Sequence, residues 1–263
     1  MQPAGPAKFY TGLVAELYSS LRSADPDPEP YARFVGRTGE PALELGCGDG
    51  DPLLELRRRG LAVEGLDSSP DMLQRCRARA NARRIDVVLH ESPIETMDLG
   101  RRFRSIYLAG PTFNLIPDDE TARRAFEQIR LHLEPTGAAL IPLFVPDPVM
   151  PDQLGRFSEH TTEAGTLYRC TTVSVHRDET ERLQRVVLRY ERISGDETSA
   201  LDREWVLHWY SKAGFRALVA AAGLHVRAVL GNDGRPAAET AQQVGFIVGP
   251  AGLKRTGSDG DSG

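Results

Sequence analysis

A chain of 263 residues with 40% hydrophobic content can bury one substantial core, with room for a large single domain or a domain carrying an insertion. The net charge of −5, with arginines scattered rather than gathered into a basic run with interleaved aromatics, argues against a broad phosphate-binding surface and so against nucleic acid as a partner. Cys47, Cys76 and Cys170 lack metal-ligand spacing and cannot all pair, which fits a reducing compartment. With no basic-then-apolar leader and no apolar run near the ~20 residues of a membrane span, a cytoplasmic protein without a membrane partner is expected.

Along the chain, residues 8–21 carry Phe9, Leu13, Val14, Leu17, Tyr18 and Leu21 at helical spacing, and the run ends at Pro26, Pro28 and Pro30. A short helix is expected at 31–35. Residues 41–45 read as a buried strand leading into a glycine turn; Pro52 opens a helix through Arg59, with Gly60 as its C-terminal cap. A second strand, 61–67, ends in Asp67, and the next helix contains Met72, Leu73 and Cys76. Further strands are predicted at 85–89, 103–109 and 138–145, with a helix at 118–133 before the last of these. After Asp147 the pattern changes: 166–177, 182–193 and 201–207 are rich in β-branched and aromatic residues, several alternating with charges, as antiparallel strands require. A helix at 211–222 and strands at 224–230 and 244–248 complete an α/β fold. It is a Rossmann-like, seven-stranded sheet with helices on both faces and a small inserted antiparallel sheet.

The chemistry concentrates in Glu44-Leu45-Gly46-Cys47-Gly48-Asp49-Gly50 and in Asp67, 21 residues beyond Gly46. A strand, a glycine turn and a helix N-terminus set backbone N–H groups beside a ligand, while an acidic residue at the next strand end suits a ribose diol. A dinucleotide fingerprint needs a third glycine where Asp51 stands. Glu44 and Asp51 disfavour a diphosphate and favour a cationic aminoacyl nucleoside. Singly, Glu44 and Asp67 could be a solvated strand end and a helix cap; together with the triplet they point to a ligand.

The pattern E-x-G-x-G-x-G followed by Asp67-Ser68-Ser69-Pro70-Asp71-Met72 resembles class I S-adenosylmethionine-dependent methyltransferases. The resemblance implies S-adenosylmethionine as cofactor, with Glu44, Gly46, Cys47, Gly48, Asp67, Ser68 and Met72 around it. Tyr10 and Tyr18 look like the tyrosines of the N-terminal lid helix in small-molecule N-methyltransferases, Tyr18 toward the cofactor and Tyr10 toward substrate. The third-strand end, His90-Glu91-Ser92-Pro93-Ile94-Glu95, has Pro93 where relatives carry an Asp beside adenine, leaving Ser92 or backbone for the amino group and Ile94 for the ring. Leu108-Ala109-Gly110-Pro111-Thr112-Phe113-Asn114-Leu115-Ile116 occupies the place after strand four that lines the active site, Ala109 nearest the cofactor, and departs from the N/D-P-P-Y/F motif of enzymes that methylate DNA adenine or protein glutamine.

The run Arg203-Glu204-Trp205-Val206-Leu207-His208-Trp209-Tyr210-Ser211 resembles the R-Y/W-Y-S/T signature of bacterial small-molecule methyltransferases with a β-sheet lid. His208 stands where many relatives have Arg, and either moves a proton or packs beside Trp209. The implied division is an N-terminal helical lid at 1–36, a cofactor-binding core at 37–148, an antiparallel insertion covering the acceptor site at 149–208, the rest of the core at 209–250 and a disordered tail at 251–263. Methyl transfer to nitrogen, less readily oxygen, of a small molecule such as a secondary metabolite follows from the resemblance, in a monomer or homodimer. His208 is the candidate base, and Tyr10, Asn114 and Tyr210 are the candidate orienting groups. The remaining histidines show no metal-ligand pair, so no metal is expected. Two rivals stay open: a fold that binds S-adenosylmethionine without methyl transfer, as a regulatory module or cyclase, and, more distantly, a dinucleotide reductase.

Overall fold

A computed structural model describes residues 9–21, 27–150, 153–231 and 233–250; the tail expected at 251–263 lies outside the described residues, as does the start of the first helix. Seven strands form one sheet: β1 (Ala42–Leu45), β2 (Val63–Asp67), β3 (Leu89–Glu91), β4 (Phe103–Leu108), β5 (Leu133–Phe144), β10 (Leu224–Leu230) and β11 (Gln243–Pro250), in the order β10-β11-β5-β4-β1-β2-β3. All neighbours pair in parallel except β11, which runs antiparallel to both β5 and β10. Strand order reverses between β1 and β4, so their carboxyl ends open the crevice where such sheets take ligands.

Both faces of the sheet are covered. The amphipathic α2 (Glu29–Thr38), α3 (Leu53–Arg58) and α4 (Pro70–Arg83) bury Phe34, Val35, Leu53, Leu54, Leu73 and Cys76 against one face. On the other, α5 (Asp119–His132) and α6 (Lys212–Ala221) set Phe126, Ile129, Phe215 and Val219 against Leu43, Leu45, Ile106 and Leu108. Local chemistry starts these helices: Ser69 caps α4 by accepting from Met72 N–H, Asp118 caps α5 by accepting from Thr121 N–H at 2.6 Å, and Ser211 caps α6 through Gly214 N–H.

The insertion forms its own four-stranded antiparallel sheet of β6 (Phe157–Thr161), β7 (Leu167–Asp178), β8 (Leu183–Ser194) and β9 (Glu197–His208). The alternation of charges read in the sequence becomes cross-strand pairing, Arg189 to Asp202 at 2.8 Å and Arg169 to Glu159 at 2.6 Å. The N-terminal α1 (Leu13–Leu21) lies on this sheet, with Phe9, Val14 and Leu17 packed against Tyr190.

Four expectations need correction. The third strand forms at Leu89–Glu91 rather than 85–89, because α4 ends on a left-handed Arg84 and the chain reaches pairing register with β2 only at Gly65↔Leu89. The insertion has four strands rather than three; Phe157–Thr161 is exposed at every position and shows no alternation to betray it. The fifth strand begins at Leu133, directly where α5 stops, without the loop expected there. The helix read over 8–21 is interrupted: Phe9 is helical, Gly12, at φ +54°, turns the chain, and the helix resumes at Leu13.

Candidate active site

The glycine turn is built by the sheet beneath it. Beyond β1, Gly46 and Cys47 donate their N–H groups to the Leu66 carbonyl at 2.7 and 3.0 Å, which lashes the turn to the end of β2. Gly46 sits at φ +69°, and a Cβ there would lie 2.5 Å from the Thr112 methyl, so this position takes no side chain. Gly48 N–H reaches across to Asp67 Oδ2 at 2.8 Å, and Ser69 N–H donates to Asp67 Oδ1 at 2.8 Å. Two strand ends are thereby joined through one carboxylate. Burial pushes the Asp67 carboxyl above its ordinary value, while the N–H groups of Ser69 and Gly48 favour its charged form.

The N-terminal segment closes over this junction. Ser69 Oγ donates to the Tyr10 carbonyl, and Gly12 N–H donates to Asp71 Oδ2 at 2.6 Å. The Tyr10 and Tyr18 rings meet edge to face with centroids 5.5 Å apart. Burial, and secondarily the neighbouring Tyr18 and Asp67, hold the Tyr10 phenol well above its ordinary pKa, so it stays protonated and acts as a donor rather than a base.

One cavity collects these groups. Its wall carries Tyr10, Tyr18, Gly46, Gly48, Asp67, Ser68, Met72, Ser92, Pro93 and Ile94, all of them read from the sequence as site residues. Leu66, Glu95, Thr112, Leu115, Ile116, Pro117 and Thr121 complete it. Of these additions, Thr112, Leu115 and Ile116 lie inside the segment already singled out after β4, and Leu66 and Glu95 lie in the runs read at the ends of β2 and β3; Pro117 and Thr121 are of ordinary residue types and left no signal. The cavity measures about 170 Å³, against the roughly 300–1,000 Å³ of ligand pockets, so the tyrosine cover must move for a nucleoside to enter. A carboxylate at a strand end, a side-chain-free turn and an apolar flank at Pro93 and Ile94 form a set of groups that fits an adenosyl cofactor.

Six expected site residues lie elsewhere. Glu44 is fully buried beneath the turn, accepting from the Tyr107 hydroxyl at 2.7 Å, with Oε1 left without a partner. Burial pushes its carboxyl up to about 8, against the Tyr107 hydrogen bond that favours the charge. Cys47 turns its side chain into the core, beside Gly65, and Ala109 contributes its carbonyl to the Thr112 hydroxyl at 3.1 Å. Asn114, wholly buried, donates to the carbonyls of Phe144 and His208 at 3.0 and 2.8 Å and accepts from Phe144 N–H at 3.2 Å. Phe144 ends β5 and His208 ends β9, so this amide clamps both strands through which the insertion joins the core. It has no donor left to orient a substrate.

His208 and Tyr210 pack together, ring centroids 4.5 Å apart, in the core beside Phe113 and Phe215 rather than on the cavity wall. His208 Nε2 faces Asp119 Oδ1 at 3.6 Å, and Asp119 also accepts from Arg182. Burial lowers the His208 pKa, with Asp119 pulling the other way, and this favours the neutral ring. Between the two readings of His208, the surroundings are those of the packed one.

Among the described residues no group of histidine, cysteine or acidic side chains could hold a metal ion, and no helix is long and apolar enough to cross a membrane.

Comparison with known proteins agrees with this geometry. Residues 42–137 match the family model described as a methyltransferase domain, covering β1 through the start of β5. The chain is 30% identical over 171 residues to the dTDP-3-amino-3,6-dideoxy-alpha-D-glucopyranose N,N-dimethyltransferase of Streptomyces fradiae, an alignment that spans 62% of this chain and 64% of that relative. It is 24% identical, over 52% of each protein, to the dTDP-3-amino-3,4,6-trideoxy-alpha-D-glucopyranose N,N-dimethyltransferase of Streptomyces venezuelae. Among solved structures, the CcbJ methyltransferase of Streptomyces caelestis superimposes with a TM-score of 0.74 at 20% identity, covering 92% of this chain and 98% of that one. The sugar N-methyltransferase KedS8 of Streptoalloteichus gives 0.72 at 20% identity, with 95% and 97% covered. The match falls on the glycine turn, Asp67 and the parallel strands that carry them, so over this region the chain is similar to a methyltransferase domain, and it spans just under two thirds of the Streptomyces fradiae relative.

Proposed function

We propose that the protein transfers a methyl group from S-adenosylmethionine to an amino nitrogen of a small molecule, an amino sugar carried on a nucleoside diphosphate being the acceptor class that the curated relatives suggest. The observation that carries the reading is the single cavity in which Gly46, Gly48, Asp67 and Met72 meet the two tyrosines of the N-terminal segment. The cofactor would supply a sulfonium methyl whose carbon an uncharged amine can attack in line, the neutral thioether leaving and the methylated ammonium then losing a proton to solvent, so the protein's task is alignment and exclusion of water, effects worth up to ~7–11 kcal/mol in well-oriented systems.

In this reading Asp67 accepts from the ribose hydroxyls, Ser92, Pro93 and Ile94 flank the adenine, and the bare turn at Gly46 admits the aminoacyl end. Glu44 stands behind that turn as a reserve of negative charge, neutral at low pH and able to ionise as a cationic amino group approaches. Tyr10 and Tyr18 shut out water, Tyr10 donating a hydrogen bond to an acceptor oxygen. The segment at 1–36 and the insertion at 149–208 together cover the acceptor side, with Asn114 fixing the insertion to the core.

Incubation with methyl-labelled S-adenosylmethionine and nucleotide-linked amino sugars tests this. Label should appear on the sugar nitrogen and depend on Tyr10. Cofactor binding without label in any amine would instead favour a module that does not transfer methyl groups.

A further inference from the structure

A second cavity, of about 520 Å³, opens between α2 and the sheet face formed by β5 and β11. Its floor is apolar, with Leu140, Pro142 and Phe144 from β5 beside Gly245 and Ile247 from β11. From α2 the side chains of Arg33 and Arg37, one helical turn apart, line the same space. Both are exposed and neither has an ion-pair or hydrogen-bond partner among the described residues, whereas Arg59, Arg79, Arg123, Arg169, Arg182 and Arg189 each meet a carboxylate.

Two guanidinium groups at i and i+4 repel each other, an arrangement that an anion bridging them would relieve. Arginine is also the side chain best shaped to take phosphate oxygens in pairs. Position adds to composition. The inner end of the groove is Gly110 and Pro111, directly before Thr112 on the wall of the cofactor cavity. Gly110 is held there by donating its N–H to the Tyr31 hydroxyl at 2.8 Å, and Tyr31 is on the same helix as the two arginines. The groove therefore runs along α2 to the carboxyl end of β4, where the chain passes from its lining at Pro111 to that of the cofactor cavity at Thr112.

We propose that this groove is the anion-binding arm of the acceptor site, with Arg33 and Arg37 holding the diphosphate of a nucleoside-diphosphate-linked acceptor and the apolar floor receiving its rings. The assignment rests on the methyltransferase reading above. It predicts a phosphate site that is separate from the cofactor and unused by it.

The test is calorimetry on the full chain saturated with S-adenosylhomocysteine, titrated with thymidine diphosphate and, separately, with inorganic pyrophosphate. Thymidine diphosphate should bind with the cofactor product in place, and the Arg33→Gln/Arg37→Gln variant should bind it at least tenfold more weakly while retaining unchanged affinity for S-adenosylhomocysteine. Pyrophosphate, lacking the rings, should bind more weakly than thymidine diphosphate and lose the same factor. No binding of thymidine diphosphate, equal binding by the variant, or displacement of S-adenosylhomocysteine would overturn the assignment. S-adenosylhomocysteine is titrated first, so its failure to bind would overturn the methyltransferase reading and this one together. Its binding followed by silence toward thymidine diphosphate would sink the groove alone.

Discussion

The cofactor cavity and the insertion at 149–208 are built by different means. At the cavity, backbone groups do much of the work: the N–H groups of Gly46, Cys47, Gly48 and Ser69 are spent on Leu66 and Asp67 within two adjacent βα junctions. Such a site is local, so few residue types satisfy it. The insertion is held by long strand ladders, surface ion pairs and one aromatic cluster under α1, and is tied to the core by Asn114. Many sequences satisfy that arrangement, because strand ladders and exposed pairs depend on few particular side chains.

The sharpest break in the comparison should come at the turn. Gly46→Ala forces a side chain to adopt φ +69° against the Thr112 methyl, and is expected to cost about 3 kcal/mol, shared between melting temperature and cofactor affinity. Retained stability together with retained affinity would show that the turn is looser than described. Next in size, Asn114→Ala should destabilise the protein by about 2 kcal/mol in denaturant melts, because it strands the backbone groups of Phe144 and His208. An effect on cofactor affinity larger than that on stability would instead place Asn114 in the site.

A smaller effect separates the core by its pH dependence. Glu44 is held near 8 in the folded chain against 4.5 for an ordinary glutamate. Between these values the folded state keeps a proton that the unfolded chain has lost, so this group makes stability fall as pH rises from about 5 to 8. Thermal melts of the cofactor-free protein should show that slope, and Glu44→Gln should flatten it. An unchanged slope would mean that Glu44 is charged throughout. The smallest effect belongs to the insertion's surface: Arg189→Ala breaks the exposed pair with Asp202 and should leave the melting temperature and cofactor affinity where they were.

The same contrast explains what the sequence disclosed. Gly46, Gly48, Asp67, Ser68 and Met72 were legible because glycine in a strand-turn-helix and an acid at the next strand end are forced by local geometry. Tyr10 and Tyr18 reached the cavity as the family resemblance implied. For His208 the sequence left packing and proton transfer both open, and Tyr210 and Asn114 were not legible as packing residues, since the end of β9, the loop after β4 and the start of α5 meet only in the folded molecule. Thr121 and Pro117 are invisible for a related reason: nothing about their types marks them. The strand Phe157–Thr161 escaped because its partners, not its own pattern, make it a strand.

The central claim is that the Asp67 carboxylate and the turn beside it form an adenosyl-cofactor site. Calorimetric titration of S-adenosylhomocysteine into the wild-type chain and into Asp67→Ala tests it most directly. The account predicts saturable binding at one site per chain, weakened about 100-fold by the substitution, the equivalent of losing two hydrogen bonds to a charged group. Equal affinity in the two proteins, or no binding in either, would contradict it.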